Sequence, residues 1–324
     1  MWRTWQSRFA GVPLVLLLVI SGSAFLLGLF SSIFLREVFQ LSAAGPERNA
    51  DARLSLLPVD FVRFPDNCFT EWAEVPRDRV RSFILDSVFD GISPFDGFPS
   101  NETAPLLRKH RIKGWGANAT VFERLMREVR PTLIVELGSF LGASAMHMGQ
   151  IARNLSLETV ILCLDDFRGW PGFRETKFKD IRIHNGENLL YHQFLKNIQF
   201  MNFTDLILPV PYSTAATLLA FCEWGIRPDL IEVDAAHDFH SAWIDLNLGY
   251  AILKSGGVMF GHDYFNRGKG EGVRRAVDIF AKLKNLKVEP DGQHWILRNS
   301  SYVLPGEATH SLRSGQRKLQ ILLG

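Results

Sequence analysis

Short apolar runs alternate with amphipathic stretches from about residue 113 to residue 298. The runs at 132–138, 159–165, 205–210, 229–234 and 257–262 are apolar without alternation. That pattern predicts strands buried on both faces, as in a parallel sheet. Phe122, Leu125, Met126 and Val129 recur at i, i+3, i+4 and i+7 and predict a helix over 119–130, ended by Pro131. Helices over 143–154, 214–223, 238–254 and 271–284 fill further gaps. The last carries Val273, Ala276, Val277 and Phe280 on one face. Leu286-Lys-Val-Glu289 and Trp295-Ile-Leu-Arg298 flank Pro290-Asp-Gly292, which predicts a terminal antiparallel hairpin. Together these elements predict an α/β domain over 113–300: a doubly wound, mostly parallel sheet between helical layers.

Upstream the pattern changes. No charged residue lies between Arg8 and Arg36, and residues 11–35 are long enough to cross a bilayer as a helix. The expectation is a transmembrane signal anchor behind a short tail, residues 1–10. A cleaved signal peptide is the rival reading, since Ser21-Gly-Ser-Ala24 offers small residues, but the apolar run is longer than an ordinary signal core. Residues 36–65 read as a stem and 66–112 as an extension with one helix over 77–89. Residues 301–324 read as a mobile basic tail.

Composition adds a compartment. The 324 residues carry a net charge of +2, which gives no basis for nucleic-acid binding. Five of thirteen asparagines open N-x-[ST] sequons: Asn101, Asn118, Asn154, Asn202 and Asn299. This excess predicts a glycoprotein whose main domain faces the lumen of the endoplasmic reticulum or Golgi, hence a type II membrane protein. Lys and Arg counts around the span orient it only weakly. Of three cysteines, Cys163 lies in an apolar run and Cys222 in a predicted helix; both read as small core residues.

Candidate chemistry gathers at strand ends. Leu133-Ile-Val-Glu-Leu-Gly-Ser-Phe-Leu-Gly-Ala-Ser144 is a strand, an acid and a glycine-bearing turn that opens a helix. Gly138 permits the bend and Gly142 a close helix start, while Ser139 and Ser144 can cap the helix or meet a ligand carboxylate. Asp165, with Asp166 as the register alternative, stands where an acid accepts ribose hydroxyls. The spacing is G-x-x-x-G, so the dinucleotide fingerprint is missing and a nucleotide-dependent oxidoreductase is disfavoured. Asp234, His237, His262 and Asp263 follow the fourth and fifth strands and face one crevice if the sheet is parallel. They are candidates for general-base work by His237 or His262 titrating near neutrality, or for a divalent metal on Asp234, His262 and Asp263. The plainer alternative is that His237 caps helix 238–254 and His262 bonds a loop.

These motifs resemble the class I S-adenosylmethionine-dependent methyltransferases, in the small-molecule O-methyltransferase-like branch with an E-x-G-S-x-x-G-x-S first motif. The resemblance runs from Lys113-Gly-Trp-Gly116 through Leu162-Cys-Leu-Asp-Asp-Phe167 and Pro228-Asp-Leu-Ile-Glu-Val-Asp-Ala-Ala-His237 to Leu253-Lys-Ser-Gly-Gly-Val-Met-Phe-Gly-His-Asp-Tyr264. It implies a Rossmann-like methyltransferase fold and S-adenosylmethionine as cofactor. Glu136, Gly138, Ser139 and Gly142 would surround the methionine part, Asp165 would hold the ribose and Phe167 would pack near the adenine. Asp234 would sit beside the sulfonium. Relatives that methylate sugar hydroxyls hold magnesium with acids, one of which is His262 here. The expected acceptor is a hydroxyl of a small molecule or glycan. A catalytically inactive binding protein of the same fold is the alternative outside the enzyme class.

Overall fold

The computed structural model describes residues 68, 73–175, 177–265 and 271–299. The predicted anchor, stem and tail lie outside these residues. No helix among the described residues is long and apolar enough to cross a membrane.

The strand–helix rhythm is realised as a seven-stranded sheet. In chain order the strands are β1 (Leu133–Leu137), β2 (Val160–Leu164), β3 (Ile183–His184), β4 (Glu187–Asn188), β5 (Ile207–Val210), β6 (Leu230–Val233), β7 (Val258–Gly261), β8 (Glu289–Asp291) and β9 (His294–Arg298). The helices are α1 (Val80–Phe89), α2 (Thr120–Val129), α3 (Ala143–Asn154), α4 (Leu190–Phe200), α5 (Thr214–Trp224), α6 (Phe239–Ile252) and α7 (Glu271–Leu283). The spatial order is β5-β2-β1-β6-β7-β9-β8, parallel from β5 to β7, and β9 pairs antiparallel with both β7 and β8. The chain order reverses between β1 and β6, so the crevice at their carboxyl ends is the topological switch point. Every residue of β1, β6 and β7 is buried. That explains why these runs lack alternation.

Three elements differ from the expectation. The terminal hairpin turns at Gly292-Gln293, and Pro290 lies inside β8. Because β8 is the edge strand, a residue without an N–H is tolerated there. Helix α4 and the small β3–β4 hairpin do not stand out in the hydrophobic pattern, because α4 buries polar residues. Gln193 and Asn197 bond the backbone of Arg108 and Arg111 in both directions, at 2.8–3.2 Å. These amides seat the strand-like approach to Lys113-Gly-Trp-Gly116. Finally, Cys222 is bonded to Cys68 in a disulfide, with Cα atoms 5.2 Å apart, so it is not a core thiol. Cys163 is free and buried as expected.

Four sequon asparagines, 101, 118, 154 and 202, are exposed. Asn299 is buried, and its amide nitrogen donates to the carbonyl oxygens of Leu253 and Lys254.

Candidate active site

The β1–α3 turn is shaped by contacts within the protein. Gly138 has φ +87°, and a Cβ there would overlap the Asp234 carbonyl oxygen and lie 2.6 Å from Ala235 Cα. The glycine thus lets the β1 and β6 loops touch, and it also lines the cleft where the ligand was expected. Gly142 likewise faces Phe194 and Ile198 of α4, within 3.3 Å of an added Cβ, and does not line the cleft. Phe140, Phe167 and Asp263 all have left-handed backbone without being glycine. Such conformations cost about 1–3 kcal/mol each and cluster where a binding geometry is held.

A cleft of about 1270 Å³ opens along the carboxyl ends of β1, β2, β6 and β7. Of the sequence-predicted residues, Gly138, Ser139, Asp165, Asp166, Asp234, His237, His262 and Asp263 line it, as does Ser144. Asp165 Oδ2 accepts the Phe140 amide at 2.8 Å and Oδ1 the Phe167 amide at 2.7 Å. Burial raises its pKa while these amides lower it, and the net direction is up. The strained Phe140 backbone therefore ties the first glycine turn to the acid of the next strand. Asp166 is exposed and accepts only the Arg168 amide among the described contacts.

Glu136, Gly142 and Phe167 are not in the wall. Glu136 is fully buried, and its Oε1 accepts the Ser144 hydroxyl, so Ser144 stands between it and the cleft. Across the β1–β6 pairing it faces Glu232, also buried, and burial pushes both carboxyls up. Glu136 Oε2, Glu232 Oε2 and Ser139 Oγ are buried without a hydrogen-bond partner among the described residues. Phe167 packs on Tyr191 and Phe194 beneath the surface. Sequence reasoning missed Glu232, since an acid inside an apolar strand reads as noise.

The β6 and β7 ends do converge. His237 Nε2 lies 2.9 Å from Asp263 Oδ2 and 3.8 Å from Asp234 Oδ1. His262 Nδ1 lies 3.2 Å from Asp263 Oδ1 and 4.0 Å from Asp234 Oδ1. Asp234 and Asp263 raise the pKa of His237 to about 10, outweighing burial. The two carboxylates thus favour the protonated imidazole at His237, where titration near neutrality was the expectation. His262 is also raised, with burial opposing Asp263 and Asp234. Asp263 is lowered, because both imidazoles outweigh its burial. His237 does not cap α6, since Asp238 does so by accepting the Ser241 amide. The donor atoms that gather within 4.8 Å are those of Asp234, His237 and Asp263, with His237 where His262 was expected. His262 instead stacks edge-on against His294, whose pKa burial and His262 lower to about 4. Gly116 passes over this pair: a Cβ there would lie 2.7 Å from His262 Nε2.

Residues outside the predicted set complete the wall: Trp115, Phe140, Trp170, Leu190, Ser213, Thr214, Phe265 and Gln293 among them. Trp115 lay within a quoted motif, but nothing in the pattern aimed it at a cleft.

With this geometry in place, residues 135–264 match the family model described as a methyltransferase domain. The motifs that carried the methyltransferase resemblance fall largely within that stretch. Solved structures similar to the chain include the O-methyltransferase NovP, at 17% identity over 57% of this chain and 80% of that one, TM-score 0.43. Another is an O-methyltransferase from Bacillus cereus in complex with SAH, at 16% identity over 67% and 96%, TM-score 0.41. No curated protein sequence matches the chain.

Proposed function

We propose that the protein transfers a methyl group from S-adenosylmethionine to a hydroxyl of a small molecule or glycan in the lumen of the secretory pathway. The observation that carries the transfer is one cleft that joins Asp165 to the Asp234, His237, His262 and Asp263 cluster. The cofactor fits the residues present. Asp165 stands at the β2 end to accept ribose hydroxyls, and Ser139 and Ser144 lie at the β1 turn for the methionine end. When bound, the cofactor supplies an already activated methyl group, so the protein's task is alignment and removal of the acceptor proton.

We assign proton acceptance to Asp234. Asp263 has one oxygen committed to each imidazole, whereas Asp234 meets them only at 3.8 and 4.0 Å, both through Oδ1. His237 and His262 then hold Asp263 in place, one on each of its oxygens. This replaces the expected base role of His237, whose protonated form the two carboxylates favour. If an ion displaces the His237 proton, Asp234, His237 and Asp263 form a mixed oxygen and nitrogen donor set that suits manganese or zinc better than magnesium, and Asp234 is then a ligand in place of the proton acceptor. An ion bound there would polarise the acceptor hydroxyl.

Support for the lumen comes from the Cys68–Cys222 disulfide, a bond that persists in oxidising compartments, and from four exposed sequons. The type II membrane reading rests on residues 11–35.

Titration calorimetry with S-adenosylmethionine, S-adenosylhomocysteine and NAD tests the cofactor. Binding of the first two alone is expected, and binding of NAD or of none overturns the reading. A glycosidase-induced gel shift tests the compartment; an unshifted band contradicts it.

A further inference from the structure

The Asn202-Phe-Thr204 sequon sits where the chain leaves α4, next to Phe200 and Met201, which are 43% and 40% exposed. The Met201, Asn202 and Phe203 amides still donate to the carbonyls of Asn197, Gln199 and Ile198, at 3.0 Å each, and close the helix end. Asn202 takes left-handed backbone there, with φ +57°. Asparagine suits that conformation, so the helix end alone accounts for it. The helix end does not account for Thr204, whose hydroxyl makes no hydrogen bond among the described residues; only its carbonyl oxygen is used, by Arg81. The Asn202 side chain is likewise exposed and unbonded among the described residues, while its carbonyl oxygen accepts Arg153. Its amide nitrogen is therefore open to a substituent.

Asn299-Ser-Ser301 is the contrast within the chain. Asn299 is buried, its Nδ2 donates to the Leu253 and Lys254 carbonyls, and its Oδ1 accepts the Tyr250 hydroxyl. N-glycosylation breaks the C1–O bond between an oligosaccharide and a lipid pyrophosphate and forms a C1–Nδ2 bond, while one amide proton leaves with the pyrophosphate. A modified Asn299 would keep one N–H for two carbonyls and would force a sugar into the core. At Asn202 the same exchange costs no hydrogen bond. Phe203 between the sequon ends is buried, so transfer acts on the chain before α4 closes over it. Adjacent exposed apolar side chains mark contact with something, and a sugar chain rooted beside them is a bulky, solubilising cover. His110 stacks on Phe200 at 4.8 Å and Lys109 Nζ lies 5.7 Å from the ring centroid, so groups that can donate to sugar hydroxyls flank the patch. Leu190 of α4 lines the cleft, and Asn202 lies beyond the other end of that helix, about 18 Å along its axis. A glycan there leaves the cleft clear.

We infer that Asn202 is an N-glycosylation site whose inner sugars cover Phe200 and Met201, and that the Asn299 sequon stays unmodified. The inference rests on the lumenal reading and adds which asparagines are used and what one glycan does.

The test expresses the full chain in cultured animal cells and maps each sequon by mass spectrometry after glycosidase release in heavy-oxygen water, which leaves a labelled aspartate at every used asparagine. Label at Asn202 and none at Asn299 is expected. Label at other sequons but not at Asn202, or any label at Asn299, overturns the assignment and leaves the lumenal reading standing. No label at any sequon sinks the lumenal reading and the site with it. Met201 reports the cover, because Met126, Met146, Met148 and Met259 are all buried. In dilute hydrogen peroxide the Met201 sulfur takes up one oxygen and water is released. Thr204→Ala removes the sequon and keeps the left-handed Asn202, whereas Thr204→Ser preserves the sequon. Oxidation of Met201 should be about threefold or more faster in Thr204→Ala than in wild type or Thr204→Ser, since susceptibility follows exposure. Equal rates in all three overturn the cover: slow rates would mean that another surface, such as a second copy, shields the patch, and fast rates that the glycan stays clear of it. Slow oxidation of Met259 in each sample shows an intact core. Where Thr204→Ala loosens that core, Asn202→Asp removes the same sequon, suits the left-handed backbone and decides the matter.

Discussion

Asp245 offers a test of how the cleft is held. It is buried on α6, and its Oδ1 accepts the hydroxyl of Thr214, the first residue of α5 and part of the cleft wall, at 2.7 Å. Burial raises its pKa to about 6 despite that bond. An unfolded chain has an aspartate pKa of about 3.9, and each tenfold change in proton affinity is about 1.4 kcal/mol. The ionised carboxylate therefore destabilises the fold by about 3 kcal/mol at pH 8. The folded state binds the extra proton, so this penalty is absent below about pH 4 and grows as pH rises to about 6. Asp245→Asn keeps an oxygen for Thr214 and removes the charge; the Thr214 bond is already included in the net pKa. The variant should then be more stable than wild type by about 3 kcal/mol at pH 8 and nearly equal to it at pH 4. Urea unfolding of both full chains at the two pH values measures this. A difference independent of pH, or a wild type more stable at pH 8, would refute the burial argument.

Other outcomes follow from the same coordinates. Gly138→Ala should destabilise by more than about 2 kcal/mol, since the new methyl overlaps the Asp234 carbonyl at φ +87°; a thermal melt equal to wild type would contradict it. Asp165→Ala should weaken S-adenosylhomocysteine binding by about tenfold or more, the worth of hydrogen bonds to a charged acceptor; calorimetry showing unchanged affinity removes the ribose assignment. Asp234→Ala should keep that affinity and lose transfer, and sustained turnover would displace Asp234 as proton acceptor. In metal-free protein the His237 imidazole should remain protonated from pH 6 to 9, as its pKa of about 10 requires; a nuclear magnetic resonance midpoint near 6.5 would break the cluster argument.

The apolar runs at β1, β2, β5, β6 and β7 were legible because strands covered on both faces have no polar side to show. The same runs placed Asp165, Asp234, His262 and Asp263 at strand ends, and a parallel sheet must bring such ends to one edge. Local pattern therefore determined the fold class and the strand-end part of the site. Only the tertiary structure decided the rest, because those features depend on partners far apart in sequence. Helix α4 hides its buried face in Gln193 and Asn197, whose amides are satisfied by residues 108 and 111. Cys222 finds Cys68 across 154 residues. His237 comes to lie beside both Asp234 and Asp263 because β6 and β7 are neighbours, a meeting that no local pattern shows. Trp115 and Trp170 meet because both rings pack on Phe140 and Phe178. A contact made by packing leaves no periodic trace in the chain that makes it.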